Sequence, residues 1–103
     1  MAITTQLVGK LGGGFKPEQG FPLRISDRNT RAITPSSKRT VILVKWSREA
    51  SLAKIIFNGV TYDTPGLIVI TVPAGTSVRY GVQNQNFPIT IEGIWVADVP
   101  DGV

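Results

Sequence analysis

Three carboxylates in the second half of the chain are the residues best suited to chemistry: Asp63, Glu92 and Asp98. Two such groups can act as general acid and base in glycoside hydrolysis when they converge on one bond. The sequence contains neither histidine nor cysteine, which excludes the Ser-His-Asp triad, thiol proteases and the common zinc sites. Since all three acids also suit ordinary outward strand or loop positions, we expect no enzyme and predict no catalytic, cofactor-binding or metal-binding residue.

A lysine among glycines in residues 9–14 (GKLGGG) has a composition that also occurs in phosphate-binding loops. The GxxxxGK[ST] spacing is absent, and no apolar strand precedes the segment. Three consecutive glycines have a high entropic cost inside a regular element. We therefore interpret residues 1–21 as an N-terminal arm with a glycine-rich tether, and residues 22–103 as a β-sandwich domain.

Basic residues concentrated in the first half of the chain form a candidate nucleic-acid patch. Small barrels that bind single strands combine such cations with aromatic side chains that stack on bases. No aromatic residue lies between residues 22 and 45, so a nucleic-acid-binding barrel is only an alternative. The candidate basic patch comprises Arg24, Arg28, Arg31, Lys38 and Arg39.

Four aromatic side chains raise the alternative that we place ahead of nucleic-acid binding, a carbohydrate or host-surface binding module: Trp46, Tyr62, Tyr80 and Trp95. Sugars stack on exposed aromatic faces, so these rings would have to share one surface. The strand alternation assigns Tyr62 and Tyr80 to the core, which favours packing over sugar binding. Trp95 is predicted to point outward and is a candidate contact residue.

The elements that must position these residues are strands. Eleven glycines and seven prolines in 103 residues indicate frequent tight turns between short strands. The β-branched run 39–46 (RTVILVKW) predicts a central strand, and Asn58-Gly59 predicts a type I′ hairpin that pairs Phe57 with Val60. We predict an all-β fold, a small single-domain β-sandwich or barrel of six to eight short antiparallel strands with an N-terminal arm.

Alternation sets the faces of several predicted strands. Residues 22–34 are expected to form a hairpin. In residues 89–96 four apolar residues change from odd-numbered to even-numbered positions. A bulge at Gly93 would return all four to one face of the sheet and leave Glu92 and Trp95 pointing outward. Those four residues are Ile89, Ile91, Ile94 and Val96.

The segment LIVITV (67–72) is apolar on both faces. One face of an antiparallel sheet usually meets water, so a loop, the N-terminal arm or another subunit must cover the second face. We interpret this strand, the apolar residues of the arm and Trp95 as an interface. The candidate interface comprises Ile3, Leu7, Leu11, Leu67, Ile68, Ile70 and Trp95.

Charge is unevenly distributed along the chain. Residues 1–54 carry ten Lys/Arg against three acids and residues 55–103 carry one against four, within a net charge of +4. The split predicts complementary faces between copies, unless the strands of the two halves interleave and mix the charges. With no signal-like start and no apolar run of membrane-spanning length, we expect synthesis in a cytoplasm and no membrane partner.

Two segments carry a resemblance to a known class of protein. The opening MAITTQLVGKLGGG resembles the start of short tail or head-decoration proteins from tailed phages of actinobacteria, and TVPAGTSVRYGVQNQ resembles segments of small virion β-sandwiches. The resemblance implies a structural subunit of a bacteriophage virion, a minor tail or capsid-decoration protein made in the host cytoplasm. Its implied partners are other virion proteins and further copies of itself, with no cofactor. Tail and capsid surface stay open.

Overall fold

Two antiparallel sheets build the protein. A computed structural model describes residues 14–28 and 31–99, which form nine strands and no α-helix. The predicted all-β sandwich is confirmed, and the strand count exceeds six to eight because several edge strands are only two or three residues long. Sheet A contains β1 (Lys16–Pro17), β2 (Leu23–Ile25), β4 (Thr40–Arg48), β7 (Gly66–Val72) and β9 (Ile89–Asp98), and sheet B contains β3 (Arg31–Ile33), β5 (Ile55–Phe57), β6 (Val60–Tyr62) and β8 (Val78–Val82).

Strand β4 lies at the centre of sheet A, between β9 and β7. Its even-numbered side chains, among them Val44 and Trp46, enter the core between the sheets, and Leu43 and Lys45 face the other way. The central strand predicted from residues 39–46 is confirmed. On the far side of β9, the short strands β1 and β2 pair with different parts of its length.

Strand β9 contains the predicted bulge. Lys45 of β4 lies opposite Gly93, whereas the next residue, Trp46, lies opposite Ile91. Glu92 is therefore the extra residue, and it reverses the side-chain alternation. Side chains before and after it belong to the same core cluster, as predicted: Ile89, Ile91, Ile94 and Val96.

The Asn58-Gly59 hairpin is also confirmed. Both residues have positive φ, 53° and 78°, which a type I′ turn requires and which Asn and Gly adopt at low cost. Phe57 pairs with Val60 across the turn. The ring of Phe57 then stacks on Tyr80 of the neighbouring strand β8, with centroids 5.7 Å apart.

The hairpin predicted for residues 22–34 is wrong. Strand β2 pairs with β9 in sheet A, and β3 pairs with β8 in sheet B. The two strands therefore lie in different sheets, and the carbonyl of Asp27 accepts a hydrogen bond of 2.9 Å from the Val82 amide of sheet B. Ile25 and Ile33 consequently enter the core from opposite sheets.

The segment interpreted as an arm partly joins the sandwich. Lys16 and Pro17 pair with β9, and Phe21 packs against the core. Phe15 packs on the opposite, outer side of sheet A. The predicted arm contacts Ile3, Leu7 and Leu11 lie outside the described residues.

Candidate assembly surface

The side of sheet A that faces away from sheet B carries a group of apolar side chains, here called the outer face. Leu43 of β4 lies between Val69 of β7 and Trp95 of β9 in the sheet register, and Leu67 lies one row further along β7. These four residues, Leu43, Leu67, Val69 and Trp95, define the outer face. Leu67 is 63% exposed and the other three are half-buried.

The Trp95 ring lies over Gly93, which has no side chain. A Cβ at Gly93 would be 2.8 Å from Cζ2 of the indole, closer than atoms pack. The bulge therefore returns Ile94 to the core. It also places Gly93 on the outer face, where the missing side chain leaves room for the Trp95 ring. An aromatic ring held in this way offers a large apolar surface with little remaining freedom to lose on binding.

The outer face has a covered end and a polar end. At the covered end, Phe15 packs against a small buried cluster of Val41, Ala97 and Val99, which is continuous with Leu43 and Val69. At the polar end, Lys45 pairs with Glu92, with Nζ 3.8 Å from Oε1. An apolar centre beside a polar rim is the arrangement typical of protein–protein interfaces.

Among the residues that the structure describes, one edge of strand β7 is unpaired, and it is called the free edge below. The strand pairs with β4 on one side, and no residue in the described ranges forms a backbone hydrogen bond with its other side. All seven residues from Gly66 to Val72 are uncharged and none is proline. An edge with these properties is a template for pairing with another strand.

The β7 and β9 residues of the predicted interface lie on two different sides of sheet A. Leu67 and Trp95 lie on the outer face, but Ile68 and Ile70 point into the core between the sheets, because side chains alternate along a strand. Sequence reasoning missed Leu43 and Val69. Val69 has the same parity as Leu67, so the alternation that places one on the outer face could have placed the other.

The candidate acids do not converge. Six strand positions separate Glu92 from Asp98, which is roughly 20 Å and exceeds the spacing of a glycosidase pair. Asp63 follows β6 in the other sheet and pairs with Arg48, with 3.2 Å between Nη1 and Oδ1. Asp98 accepts a hydrogen bond of 2.7 Å from Ser36. In the ranges 14–28 and 31–99 no group of acidic residues could hold a metal ion.

The candidate basic patch is spread over the molecule. Arg24 lies at the level of Thr90 and therefore near the end of β4, whereas Lys38 and Arg39 precede its start, roughly 26 Å away along the strand. Arg31 pairs with Asp27, with 3.3 Å between Nε and Oδ1, and Arg28 donates two hydrogen bonds to the Gln83 carbonyl. These five cations do not form one continuous groove.

The four candidate aromatic residues share no common surface. Trp46 and Tyr80 are 1% and 6% exposed and belong to the core, and Tyr62 packs against the same cluster. Only Trp95 lies on the outer face. The stacking platform that a carbohydrate-binding module requires is therefore not assembled from these rings.

Tyr80 lies at the seam between the two sheets. It lines an open cleft of about 380 Å³ together with Glu18, Phe21 and Arg31. Burial raises the pKa of the Tyr80 phenol, a shift that the nearby Arg31 guanidinium partly opposes and that Glu18 and Asp27 reinforce. The fold thus holds this phenol in its neutral form.

Comparison with protein-family models finds no match to the chain, and neither curated proteins nor solved structures match it. Within the described ranges, no helix is long and apolar enough to cross a membrane. The outer face and the free edge of β7 are the surfaces of the described residues that best fit contact with another protein.

Proposed function

We propose that this protein is a structural subunit that assembles with other copies of itself through the outer face of sheet A. The proposed setting is a bacteriophage virion, with the chain as a minor tail or capsid-decoration protein. The observation that supports assembly is the outer face itself: four large apolar side chains lie side by side on one face, and Leu67 is mostly exposed.

The four side chains of the outer face are contiguous, whereas most exposed apolar side chains of soluble proteins are scattered singly. Single exposed apolar residues are common on soluble proteins and need no explanation, but a continuous patch with a polar rim marks a contact surface. Leu52 and Val60 are also exposed, at 61% and 51%. Leu52 lies in the connection from β4 to β5, and Val60 begins β6 of sheet B. Neither belongs to the outer face, so they supply a comparison within the same chain.

The virion setting is supported by the resemblance of two sequence segments, the opening MAITTQLVGKLGGG and TVPAGTSVRYGVQNQ. Repeated subunits of a particle need self-complementary surfaces more than they need a ligand pocket. The dispersed acids and cations described above are compatible with a protein that acts by assembly.

The test is the solution mass of the full chain, measured by light scattering over a range of concentrations. We expect a mass above that of the 11.1 kDa monomer. Leu67→Lys should weaken association at least about tenfold, because it removes the burial of one leucine and adds a charge that must be desolvated. Leu67 is largely exposed, so the variant should fold normally.

Leu52→Lys is the matched control, since Leu52 has nearly the same exposure but lies off the outer face. It should leave the association unchanged. A chain that stays monomeric at every concentration would contradict the proposal, as would equal effects of the two substitutions.

A further inference from the structure

The four outer edges of the two sheets are not alike. On three of them the strands are short: β1 has two residues and includes Pro17, and β2, β3 and β6 have three each. Short strands, proline and charge are the devices by which natural sheets prevent edge-to-edge pairing. Strand β7 has seven residues and none of these devices.

We propose that the free edge of β7 pairs with β7 of a second copy, antiparallel about a two-fold axis, so that two copies of sheet A form one continuous sheet. This inference rests on the proposed function, because it specifies one contact of the assembly. We infer that a second copy occupies this edge, because the side chains of β7 are compatible with those of an antiparallel β7 strand.

The register of such a pair follows from side-chain parity. In an antiparallel pair, residues directly opposite each other point to the same side of the sheet. A two-fold axis perpendicular to the sheet lies midway between the two strands. It must then be level with one residue, which faces the same residue of the second copy, and not level with a peptide bond between two residues. Only an axis at Val69 pairs all seven positions from Gly66 to Val72.

In this register every contact is apolar or neutral. Val69 lies opposite Val69 of the second copy, and Leu67 lies opposite its Thr71, all on the outer face. On the inner side Ile68 lies opposite Ile70 of the second copy, which extends the core across the pair. A charged residue at the axis would face its own like charge, and β7 contains none.

The pairing also joins two outer faces into one surface. Seven opposed residues supply about six to eight backbone hydrogen bonds, and the Leu67 and Val69 side chains of both copies become neighbours. Lys45 lies one strand and Glu92 two strands inside the β7 edge, so this ion pair does not oppose its own copy across the axis. The two apolar features of sheet A are thus parts of a single contact region.

Cysteine cross-linking tests the register directly, because the chain contains no cysteine. Val69→Cys in the full chain should give a covalent dimer with a short bifunctional thiol reagent. Leu67→Cys should not, since the two Leu67 positions would be separated by roughly 13 Å along the strands. A mixture of Leu67→Cys and Thr71→Cys should cross-link, because those residues lie opposite each other.

Leu43→Cys is the matched control, because Leu43 lies on the same face directly opposite Val69, one strand inside the edge. It should give no covalent dimer. If Leu67→Cys or Leu43→Cys cross-links as well as Val69→Cys does, the pairing about Val69 is overturned.

A charge exchange provides a second readout. Val69→Lys alone should reduce association, since two ammonium groups would meet at the axis, and Val69→Glu alone should do the same. An equimolar mixture of the two variants should recover dimers, because opposite charges then face each other. Circular dichroism of each variant verifies that the sandwich is folded.

The outcomes separate the two proposals. A chain that associates normally without cross-linking through Val69→Cys, and without rescue in the mixture, retains the proposed assembly but overturns the β7 pair. A monomeric chain that does not cross-link overturns both.

Discussion

Gly93 shows how the absence of one side chain shapes the outer face. Its conformation is ordinary, with no positive φ, so the position does not need glycine for backbone reasons. The need arises from Trp95, whose indole lies where a Cβ would project. Trp95 in turn lies beside Leu43 in the register and completes the outer face.

Gly93→Ala should therefore destabilise the protein by about 1–3 kcal/mol, the usual cost of overpacking, unless the indole swings away from the sheet. In a Trp95→Ala background the same substitution should be nearly neutral or slightly stabilising, because the collision is gone and alanine restricts the unfolded chain. Urea unfolding of the four proteins in this double-mutant cycle measures the difference. If Gly93→Ala lowers the free energy of unfolding equally in both backgrounds, the Trp95 ring is not the reason that position 93 requires glycine.

At the scale of the element, one extra residue decides which face of β9 is apolar. Glu92 is exposed and its ion pair with Lys45 lies at the surface, so its side chain contributes little to stability. Its backbone contributes much more, because it sets the parity of every residue that follows in the strand. Strand β7 differs from the other edge strands in its length and its lack of charge, and not in any single side chain.

Deletion of Glu92 should abolish cooperative folding. Without the bulge, Ile94 and Val96 would turn to the outer face, at roughly 2–3 kcal/mol for each large apolar side chain moved to solvent, and Trp95 would turn inward. Together these changes approach the whole stability of a small domain. Glu92→Ala, which keeps the residue count, should change the free energy of unfolding by less than about 1 kcal/mol. Thermal melts followed by circular dichroism compare the two, and a deletion variant that unfolds cooperatively near the wild-type temperature would contradict the role of the bulge.

At the scale of the whole molecule, the two halves of the chain interleave. Strand β4 from the basic half lies between β7 and β9 from the acidic half. Lys45 pairs with Glu92, and Arg48 pairs with Asp63. Among the described residues, charges from the two halves of the sequence therefore lie beside each other at these two pairs. The proposed assembly accordingly rests on apolar contact and not on separate faces of opposite charge.

We predict that the free energy of unfolding falls at alkaline pH because of Tyr80, which lies at the seam between the sheets. Burial raises the pKa of Tyr80 above its ordinary value, which is about 10, so the folded state favours the neutral phenol. Its contribution to stability is fully present below about pH 10 and is lost as the pH rises through the folded-state pKa. Tyr80→Phe should show a shallower loss between about pH 8 and about pH 11, measured by urea unfolding at both values. Identical losses for the two proteins would contradict the assignment to Tyr80.

Local patterns predicted much of this fold. The β-branched run identified the central strand β4, Asn58-Gly59 identified a hairpin, and the parity change near Gly93 identified the bulge, because each depends on residues within a few positions of one another. The hairpin predicted for residues 22–34 failed because its two short strands pair with β9 and β8, which are distant in sequence. Strands of three residues carry too little pattern to specify a partner.

The candidate surface was only half predictable for a similar reason. Alternation around the bulge of β9 placed Trp95 outward. Leu67 entered the predicted interface together with Ile68 and Ile70 because β7 is apolar on both faces, and alternation along β7 could have separated Leu67 and Val69 from those two. That Leu43 lies between them depends on the order of strands in sheet A, which no local pattern encodes. Strand character, turn positions and the lack of histidine and cysteine chemistry follow from residue types and short-range patterns. Which strands are neighbours, which edge stays unpaired among the described residues and how the charges mix depend on the fold, because those properties arise from pairing between residues far apart in the chain.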